Sequence, residues 1–379
     1  MRQSGLWAAV ACAAAATPLS GQRIWKDQLY PYVYASSVDG FWGAAHFSEY
    51  SPIGFAEQPE PNRAALDVDA GASTQGSYFA IVDAQAPAYW EGWRFALTLT
   101  ASRDNRLGYY GVGNGTVYAT DSITATAPYF YRVSRSHQSV RATVQRRIIG
   151  PLRLLAGASL DHTSFRALPG GSAFARDLAA NTIDSTRVPF TDRTARVGIV
   201  VDARDNEIDP HSGALVEGLV AAGRGYTRTT ASAKLYLHPF ERLVLAGRLA
   251  GETMTGRPPL AAELVMETSE QPFIAVGGYR SLRGYYDARF VGPGKLLGGL
   301  EARYGLLWAP TLFELNLVGF YDAGRVFAPG ERVTVGTAGL HASGGVEIVA
   351  RILRNGILAL GYGRGSEGGQ VFFGTTWSY

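Results

Sequence analysis

Apolar and polar side chains alternate along much of this chain with a period of two. In the segment 193–205, alanine, valine and isoleucine occupy every second position from Ala195, and Arg196 and Asp202 fall on the other face. Successive side chains of a β-strand point to opposite faces, so this pattern predicts strands with one apolar and one polar face. The same alternation recurs elsewhere, for example in 140–147, 242–252, 313–322 and 369–379.

Segments of about 9–14 residues with this alternation give sixteen predicted strands. The segment 127–148 is long enough to hold two strands, which would change the count. An even number is usual in single-chain bacterial membrane barrels. The predicted strands are 30–38, 40–50, 64–73, 76–87, 93–103, 127–148, 151–165, 193–205, 212–225, 227–239, 242–254, 294–307, 313–324, 337–351, 356–365 and 369–379.

Two features favour a membrane barrel over a soluble β-sandwich, whose strands also alternate. Charged residues of both signs lie on the polar face of many strands, and a dry core could not hold them unpaired. Aromatic residues cluster at segment ends, as in the girdles at the two membrane interfaces. The fold is therefore predicted to be all-β, a transmembrane antiparallel β-barrel. The predicted girdle residues are Tyr30, Tyr32, Tyr89, Trp90, Trp93, Trp308, Trp377 and Tyr379.

Connections between the predicted strands differ in length, which assigns them to the two ends of the barrel. Three long ones fall at 104–121, 166–192 and 255–293, and the short ones 207–211 and 238–241 are predicted to be periplasmic turns. Bacterial barrels have short periplasmic turns and longer extracellular loops.

Residues 1–21 have the pattern of a secretory signal peptide. A positive charge at Arg2 precedes a short alanine-rich apolar core, which ends in small or turn-forming residues. Cleavage near residue 21 leaves a segment 22–28 and a barrel domain at 29–379. The predicted location is the bacterial outer membrane, reached through the periplasm.

Composition narrows the chemistry further. Cys12 is the only cysteine and lies in the predicted signal, so no disulfide or soft-metal site is expected in the mature protein. The chain has 35 basic and 32 acidic residues without a long basic run, which disfavours nucleic acid as a partner. No metal and no cofactor are predicted.

The sequence does not predict an enzyme, and no catalytic residue is assigned. The nucleophile motif G-x-S-x-G and the zinc motif H-E-x-x-H are absent. The nearest candidate cluster joins Asp161, His162 and Ser159. Strand parity places Ser159 and Asp161 inside and His162 outside, which favours a structural role.

Four sequence motifs occur in an order that is typical of a known protein family. They are Asp202–Asn206 with Asp209–Gly213, then Gly277–Tyr285 (GGYRSLRGY), Gly298–Arg303 and Phe320–Gly324. Together they resemble the barrel of the bacterial surface antigen family, which includes the BamA and TamA insertases and the FhaC-type secretion pores. The resemblance covers about 350 residues and is most specific over 196–324.

The resemblance implies that a loop at 277–290, between strands 11 and 12, folds back into the lumen. Its arginine, here Arg283, should pair with inward carboxylates, and parity offers Asp322 first and Glu301 second. Gly284 would allow a tight backbone path, and Tyr285 would pack its ring while its hydroxyl hydrogen-bonds.

Two further groups are predicted from position. A turn cluster at the periplasmic end comprises Asp202, Arg204, Asp205, Pro210 and Gly213, whose residue types suit a turn without any further function. A C-terminal assembly signal comprises Phe373, Trp377 and Tyr379 on the apolar face of the last predicted strand.

The resemblance implies outer-membrane protein assembly or polypeptide translocation. The family's barrels are preceded by periplasmic POTRA domains, and only the segment 22–28 separates the predicted signal from the first strand here. Alternatives are a passive or loop-plugged pore, a structural subunit of a larger complex, and an outer-membrane hydrolase. Expected partners are membrane lipids, the barrel assembly machinery for the protein's own insertion, polypeptide clients and a separate periplasmic or outer-membrane subunit.

Overall fold

The computed structural model describes residues 25–36, 38–53, 59–309, 313–352 and 356–379. The predicted signal peptide at 1–21 lies outside the described residues, as do the side chains of Ala35, Ser36 and Trp308.

Among the described residues, sixteen strands form one antiparallel sheet in chain order, so the predicted count is confirmed. A separate pair of two-residue strands, β12 and β13, lies between the eleventh and twelfth strands of that sheet. The strands are β1 (Lys26–Ser36), β2 (Gly40–Pro52), β3 (Asn62–Ser73), β4 (Tyr78–Trp90), β5 (Trp93–Gly108), β6 (Arg132–Ile149), β7 (Leu152–Ala167), β8 (Phe190–Asp202), β9 (Gly213–Gly223), β10 (Tyr226–Phe240), β11 (Leu243–Gly256), β12 (Val265–Met266), β13 (Phe273–Ile274), β14 (Gly294–Ala309), β15 (Phe313–Phe327), β16 (His341–Ile352), β17 (Gly356–Gly365) and β18 (Gly368–Gly374).

Helical structure among the described residues is confined to the connections. Two short α-helices, α1 (Ala173–Ala179) and α2 (Leu260–Glu263), accompany single 3₁₀ turns at Thr120–Ser122 and Ser185–Arg187. None of these described helices has the length and apolar character needed to cross a membrane.

The two faces of the sheet differ as the alternation predicts. In β8, Val197 is 61% exposed and Ile199 is 53% exposed. Arg196, which precedes Val197 and therefore points to the opposite face, is buried. Exposed leucine, valine and isoleucine recur on the same outer face in nearly every strand. Such a face suits contact with lipid, because its side chains are apolar and the backbone N–H and C=O groups are hydrogen-bonded within the sheet. Further exposed examples are Leu29, Leu97, Leu160, Val216, Leu235, Leu249, Leu300, Leu317, Ile348 and Leu360.

The space enclosed by the inner face of the sheet is here called the lumen. The segment 257–293 occupies it. Strands far apart in the sheet contact this one segment: Gln271 donates to Thr98 of β5 at 2.9 Å, and Tyr285 contacts Ser366 next to β17 at 2.9 Å. The sheet therefore wraps around the segment. An apolar cluster in the segment, with Val276, Leu282 and Phe290 among its members, packs on buried residues of β14 and β15.

Aromatic side chains of the long connections pack together at the loop end. Tyr110 stacks on Tyr131 and on Tyr286 with ring centroids 5.4 and 5.7 Å apart. Tyr109 packs edge-on against Phe174 of α1 and donates a hydrogen bond to Asp177 at 2.7 Å. The loops therefore form a packed layer that joins the lumen segment.

Several predicted boundaries need correction. The segment 127–148 is a single strand that begins at Arg132, because residues 127–131 turn into the aromatic layer. β1 begins at Lys26, inside the predicted segment 22–28, and β16 begins at His341 rather than 337. The last strand ends at Gly374, not 379. Alternation alone cannot locate these ends, since loops and tails also alternate by chance.

The predicted aromatic girdle is right only in part. Tyr89, Trp90 and Trp93 are exposed around the β4–β5 turn, as a girdle requires. Tyr32 instead faces the lumen side, where its hydroxyl donates to Asp69 at 3.4 Å. The other exceptions are Tyr30, whose ring packs at a tilt against lumen-facing His46, and Trp377 and Tyr379, which are each 5% exposed.

Gly213, at the start of β9, is expected to tolerate no side chain. Its φ is +98°, and a Cβ would overlap the Ala203 carbonyl oxygen. Gly213→Ala should therefore lower the free energy of unfolding by about 1–3 kcal/mol, measured by urea denaturation of the refolded barrel. Gly218 in the same strand is the control, because a Cβ there meets nothing within 4 Å. Equal stability of the two alanine variants would contradict the strain at Gly213.

Candidate functional site in the lumen

Arg283 is held by two inward carboxylates of neighbouring strands. Its Nε and Nη2 donate to the two oxygens of Asp322 at 2.8 and 2.9 Å, and Nη1 donates to Glu301 at 2.6 Å. The backbone N–H of Arg283 also donates to Asp322, at 3.2 Å. The structure thus brings together the three residues that the sequence singled out, with Asp322 in the bidentate position.

A third carboxylate completes the site and was missed in the sequence. Glu347 of β16 lies 3.4 Å from Arg283 Nη1, and the guanidinium stacks on the Phe320 ring at 3.8 Å. Glu347 lies between the exposed Val346 and Ile348, so its parity placed it on the polar face. Parity could therefore have identified Glu347 as an inward residue. The sequence did not show that β16 lies close to Arg283, because that depends on how the sheet wraps around the loop.

The arginine is charged in this setting. Burial lowers the pKa of Arg283, but the negative charges of Glu301 and Asp322 raise it by more. The pKa of Arg283 is therefore held well above its ordinary value. Buried ion pairs of this kind stabilise little in net terms, but breaking one leaves an uncompensated charge. The cluster therefore specifies where the loop sits.

Gly284 and Tyr285 fit the loop against the sheet. A Cβ on Gly284 would lie 2.5 Å from Ser343 Cβ and 2.7 Å from backbone atoms at the end of β17. The Gly284 N–H donates to Ser343 Oγ at 3.2 Å. Tyr285 is buried, with its hydroxyl 2.9 Å from Ser366 Oγ. Both residues thus allow the loop to approach the strands closely.

The last five residues, 375–379, leave the sheet and enter the lumen. The Trp377 ring lies 3.8 Å from the Arg303 guanidinium, and its indole N–H donates to Asp209 at 2.9 Å. Ser378 donates to Glu301 at 2.7 Å, so this tail and the Arg283 loop share one carboxylate.

The position of the tail alters the predicted assembly signal. Phe373 lies on β18, whereas Trp377 and Tyr379 are buried in the lumen and do not continue the apolar outer face. The placement of these two residues on the outer face of a strand ending at 379 was wrong, because arginines of the inner face stack on both rings. Arg303 covers Trp377, and Arg248 lies 4.5 Å from the Tyr379 ring.

The turn cluster also reaches into the lumen. Arg204 pairs with both oxygens of Asp202 at 2.9 Å and with Glu270 of the lumen segment at 2.9 Å. Arg204 is 7% exposed. Arg204 therefore does more than its residue type suggests for a simple turn, because it is buried and paired with the lumen segment. The ion pair with Glu270 ties the turn end of the barrel to the lumen segment, although nothing in the sequence signalled it.

The other turn residues have local contacts. Asp205 Oδ1 accepts a hydrogen bond from the His211 N–H at 3.0 Å, which closes the turn. Pro210 lines a cavity at the turn end, and Gly213 makes the tight entry into β9. These residues suit the turn chemistry that their types predict.

Asp209, His211 and Glu314 bring potential ligand atoms within 4.8 Å of one another, a spacing that could suit a metal ion. Arg351 already occupies this position: its Nε lies 3.0 Å from Asp209, and it also pairs with Glu314. The hydrogen bond to Asp209 raises the pKa of His211, which favours the protonated ring. The group is therefore better described as an ion-pair network.

The cluster around Asp161 lacks the geometry of a catalytic triad. Ser159 donates to Asp161 at 2.5 Å, and His137 lies 3.4 Å from the other carboxylate oxygen. A triad needs the histidine between the hydroxyl and the carboxylate, so that it can take the proton. Here the carboxylate is central. His162, which the sequence placed outside, contacts Thr191 at 2.8 Å instead.

Comparison with known proteins identifies the fold. The Omp85 superfamily domain matches residues 62–352. BamA from Haemophilus ducreyi, in a crystal structure lacking POTRA domains 1–3, aligns with a TM-score of 0.57 and 12% identity, covering 96% of this chain and 74% of that one. CdiB from Escherichia coli aligns with a TM-score of 0.57 and 9% identity, covering 97% and 66%.

No curated protein sequence matches the chain significantly. The identities to the two solved structures are low, so those structures speak to the fold alone. The family resemblance drawn from the four sequence motifs is confirmed by the superfamily match, and these two barrels share the fold.

Proposed function

Because the chain belongs to the Omp85 superfamily, we propose that it acts in the bacterial outer membrane, in protein assembly or polypeptide translocation. The observation that carries this proposal is the superfamily match over 62–352, joined to a barrel of sixteen strands with a lumen segment anchored at Arg283.

The architecture of the lumen supports a controlled passage rather than an open one. The segment 257–293 contacts the inner face from β5 to β17, and several ion pairs anchor it. They include Arg283 with Asp322 and Glu301, Glu270 with Arg204, and Arg289 with Glu367. A permanently open pore would need no such anchoring, whereas a passage that opens for a polypeptide needs a segment with a defined closed position.

Depletion of the protein from its native bacterium tests the proposal. Levels of other outer-membrane barrels, or of secreted polypeptides, should fall after depletion and recover when the wild-type chain is restored. A variant of a lumen carboxylate without contact to the segment, Asp69→Ala, should restore them equally. Unchanged levels of both protein classes after depletion would rule out an assembly or translocation role.

The passive pore gives a different result in planar bilayers. The wild-type barrel is expected to show small or rare openings, because the segment 257–293 occupies the lumen. Arg283→Ala removes the charge that Asp322 and Glu301 hold, so openings should become larger or more frequent. Large, steady openings of the wild-type barrel that are unchanged in Arg283→Ala would favour a passive pore.

A further inference from the structure

A second feature of the lumen lies apart from the Arg283 cluster. A cavity of about 380 Å³ occupies the end of the lumen near the short turns. Its wall includes Pro61 and Pro210 at the turn end, the lumen residue Glu270, and Thr376 of the tail. This volume falls in the range of sites that hold small organic ligands.

The wall of the cavity is rich in cations. Six cationic side chains line it, against three carboxylates, Asp202, Glu207 and Glu270. Four of the six cations have close acceptors: Arg94 with Glu207, Arg141 with Glu267, and Arg204 and Lys234 with Glu270. The remaining two are Arg153 and Arg280.

Arg153 and Arg280 have guanidinium groups with unused donors. Arg153 forms ion pairs with Glu60 at 3.6 Å and with Asp202 at 3.7 Å, but both contacts are longer than a hydrogen bond, and its side chain is 11% exposed. Arg280 has no carboxylate within ion-pair distance among the described residues, and its Nε is buried without a partner. The Arg280 guanidinium lies over the Phe273 ring, 5.1 Å from the ring centroid.

Two neutral groups on the same wall also lack partners. The Tyr236 hydroxyl is buried without a hydrogen bond among the described residues, and Tyr236 is 1% exposed. The Gln145 side-chain oxygen is likewise buried without a partner. Buried polar groups are usually satisfied, so unsatisfied ones around a cavity indicate a ligand that satisfies them.

The chemistry of these groups defines the ligand. Guanidinium groups only donate, and their planar fork matches the oxygens of a phosphate. The Tyr236 hydroxyl adds a third donor, whereas Gln145 offers an acceptor that suits a ligand hydroxyl. A ligand with an anionic phosphate beside a hydroxyl group uses both kinds.

We propose that this cavity binds a phosphate ester with a neighbouring hydroxyl, such as glycerol phosphate, either free or as the headgroup of a glycerophospholipid. Arg153 and Arg280 bind the phosphate, Tyr236 donates to it, and Gln145 accepts from the hydroxyl. The site does not depend on whether the barrel assembles or translocates polypeptides.

Isothermal titration of the barrel in a non-ionic detergent tests the site, with glycerol 3-phosphate as the probe and glycerol as its neutral counterpart. Saturable binding of glycerol 3-phosphate, but not of glycerol, is expected. Arg153→Gln and Arg280→Gln should each weaken it about tenfold, since each removes a charge-assisted hydrogen bond. Arg257→Gln is the matched control, because Arg257 is 74% exposed at the loop end.

A folding defect is separated from a binding defect by two further measurements. Heat-modifiable mobility in electrophoresis shows whether each variant is folded. Arg153→Lys keeps the charge without the planar fork, so it should bind more tightly than Arg153→Gln and less tightly than the wild type. Absence of saturable binding to the wild type would overturn the proposal, as would folded Arg153→Gln and Arg280→Gln variants that each bind glycerol 3-phosphate as tightly as the wild type.

The source of the phosphate follows from a second titration with dihexanoyl phosphatidylglycerol below its micellar concentration. Tighter binding than that of glycerol 3-phosphate, with the same dependence on Arg153 and Arg280, supports a lipid headgroup. Weaker binding with that dependence supports a free phosphate ester.

Discussion

Asp322→Ala is expected to release the loop 277–290 and to lower the free energy of unfolding by about 3–5 kcal/mol, the usual cost of breaking a buried ion pair from one side. Asp322 accepts three hydrogen bonds from Arg283, two from the guanidinium and one from the backbone. Glu301 cannot replace it, because Glu301 already accepts from Arg303 and Ser378. The variant therefore leaves part of a buried guanidinium unpaired.

Release of the loop is measured by limited proteolysis of the barrel in lipid vesicles. Trypsin added outside should cut Asp322→Ala near residues 280–289 much faster than the wild type, and urea denaturation should show the lost stability. Asp69→Ala is the control, because Asp69 is also an inward strand carboxylate, but it pairs with His46 and not with the loop. Identical cleavage of the wild type and Asp322→Ala would show that the ion pair does not hold the loop.

Trp377→Ala is expected to lower the free energy of unfolding by about 3–5 kcal/mol, as for other buried large-to-small substitutions. The indole covers the Arg303 guanidinium and donates to Asp209. Its loss leaves a cavity between the tail and the inner face. Arg303 then also loses the ring that shields it from solvent.

The test of the tail compares two positions of the C-terminal region. Val371 on β18 is 70% exposed on the outer face, so Val371→Ala should cost clearly less than Trp377→Ala in urea denaturation of the barrel in vesicles. If Trp377 instead faced lipid on a longer strand, Trp377→Ala would remove only contacts between the ring and lipid. A Trp377→Ala variant as stable as Val371→Ala would contradict the buried position of the tail.

Much of this fold could be predicted from local sequence. Alternation with a period of two identified sixteen strands and the outer face of each, because lipid outside and charge inside select opposite residue types at successive positions. The Arg283 loop and its two predicted partners also came from the sequence, through the order of four motifs and the parity of Glu301 and Asp322. Strand ends such as those of β6 and β16 could not be located, because alternation carries no signal for where pairing stops.

Sequence by itself therefore determined the fold class, the strand count and the facing of most side chains, and the family resemblance added the expected pair of Arg283 with Asp322. Only the tertiary structure decided which distant inward groups meet: Glu347 beside Arg283, Arg204 with Glu270, and Trp377 with Asp209. The physical reason is that parity states which face a side chain occupies, but not its height in the lumen or its neighbours across it. The tail shows this most clearly, since its alternation suits an outer strand while arginines on the inner face hold it inside.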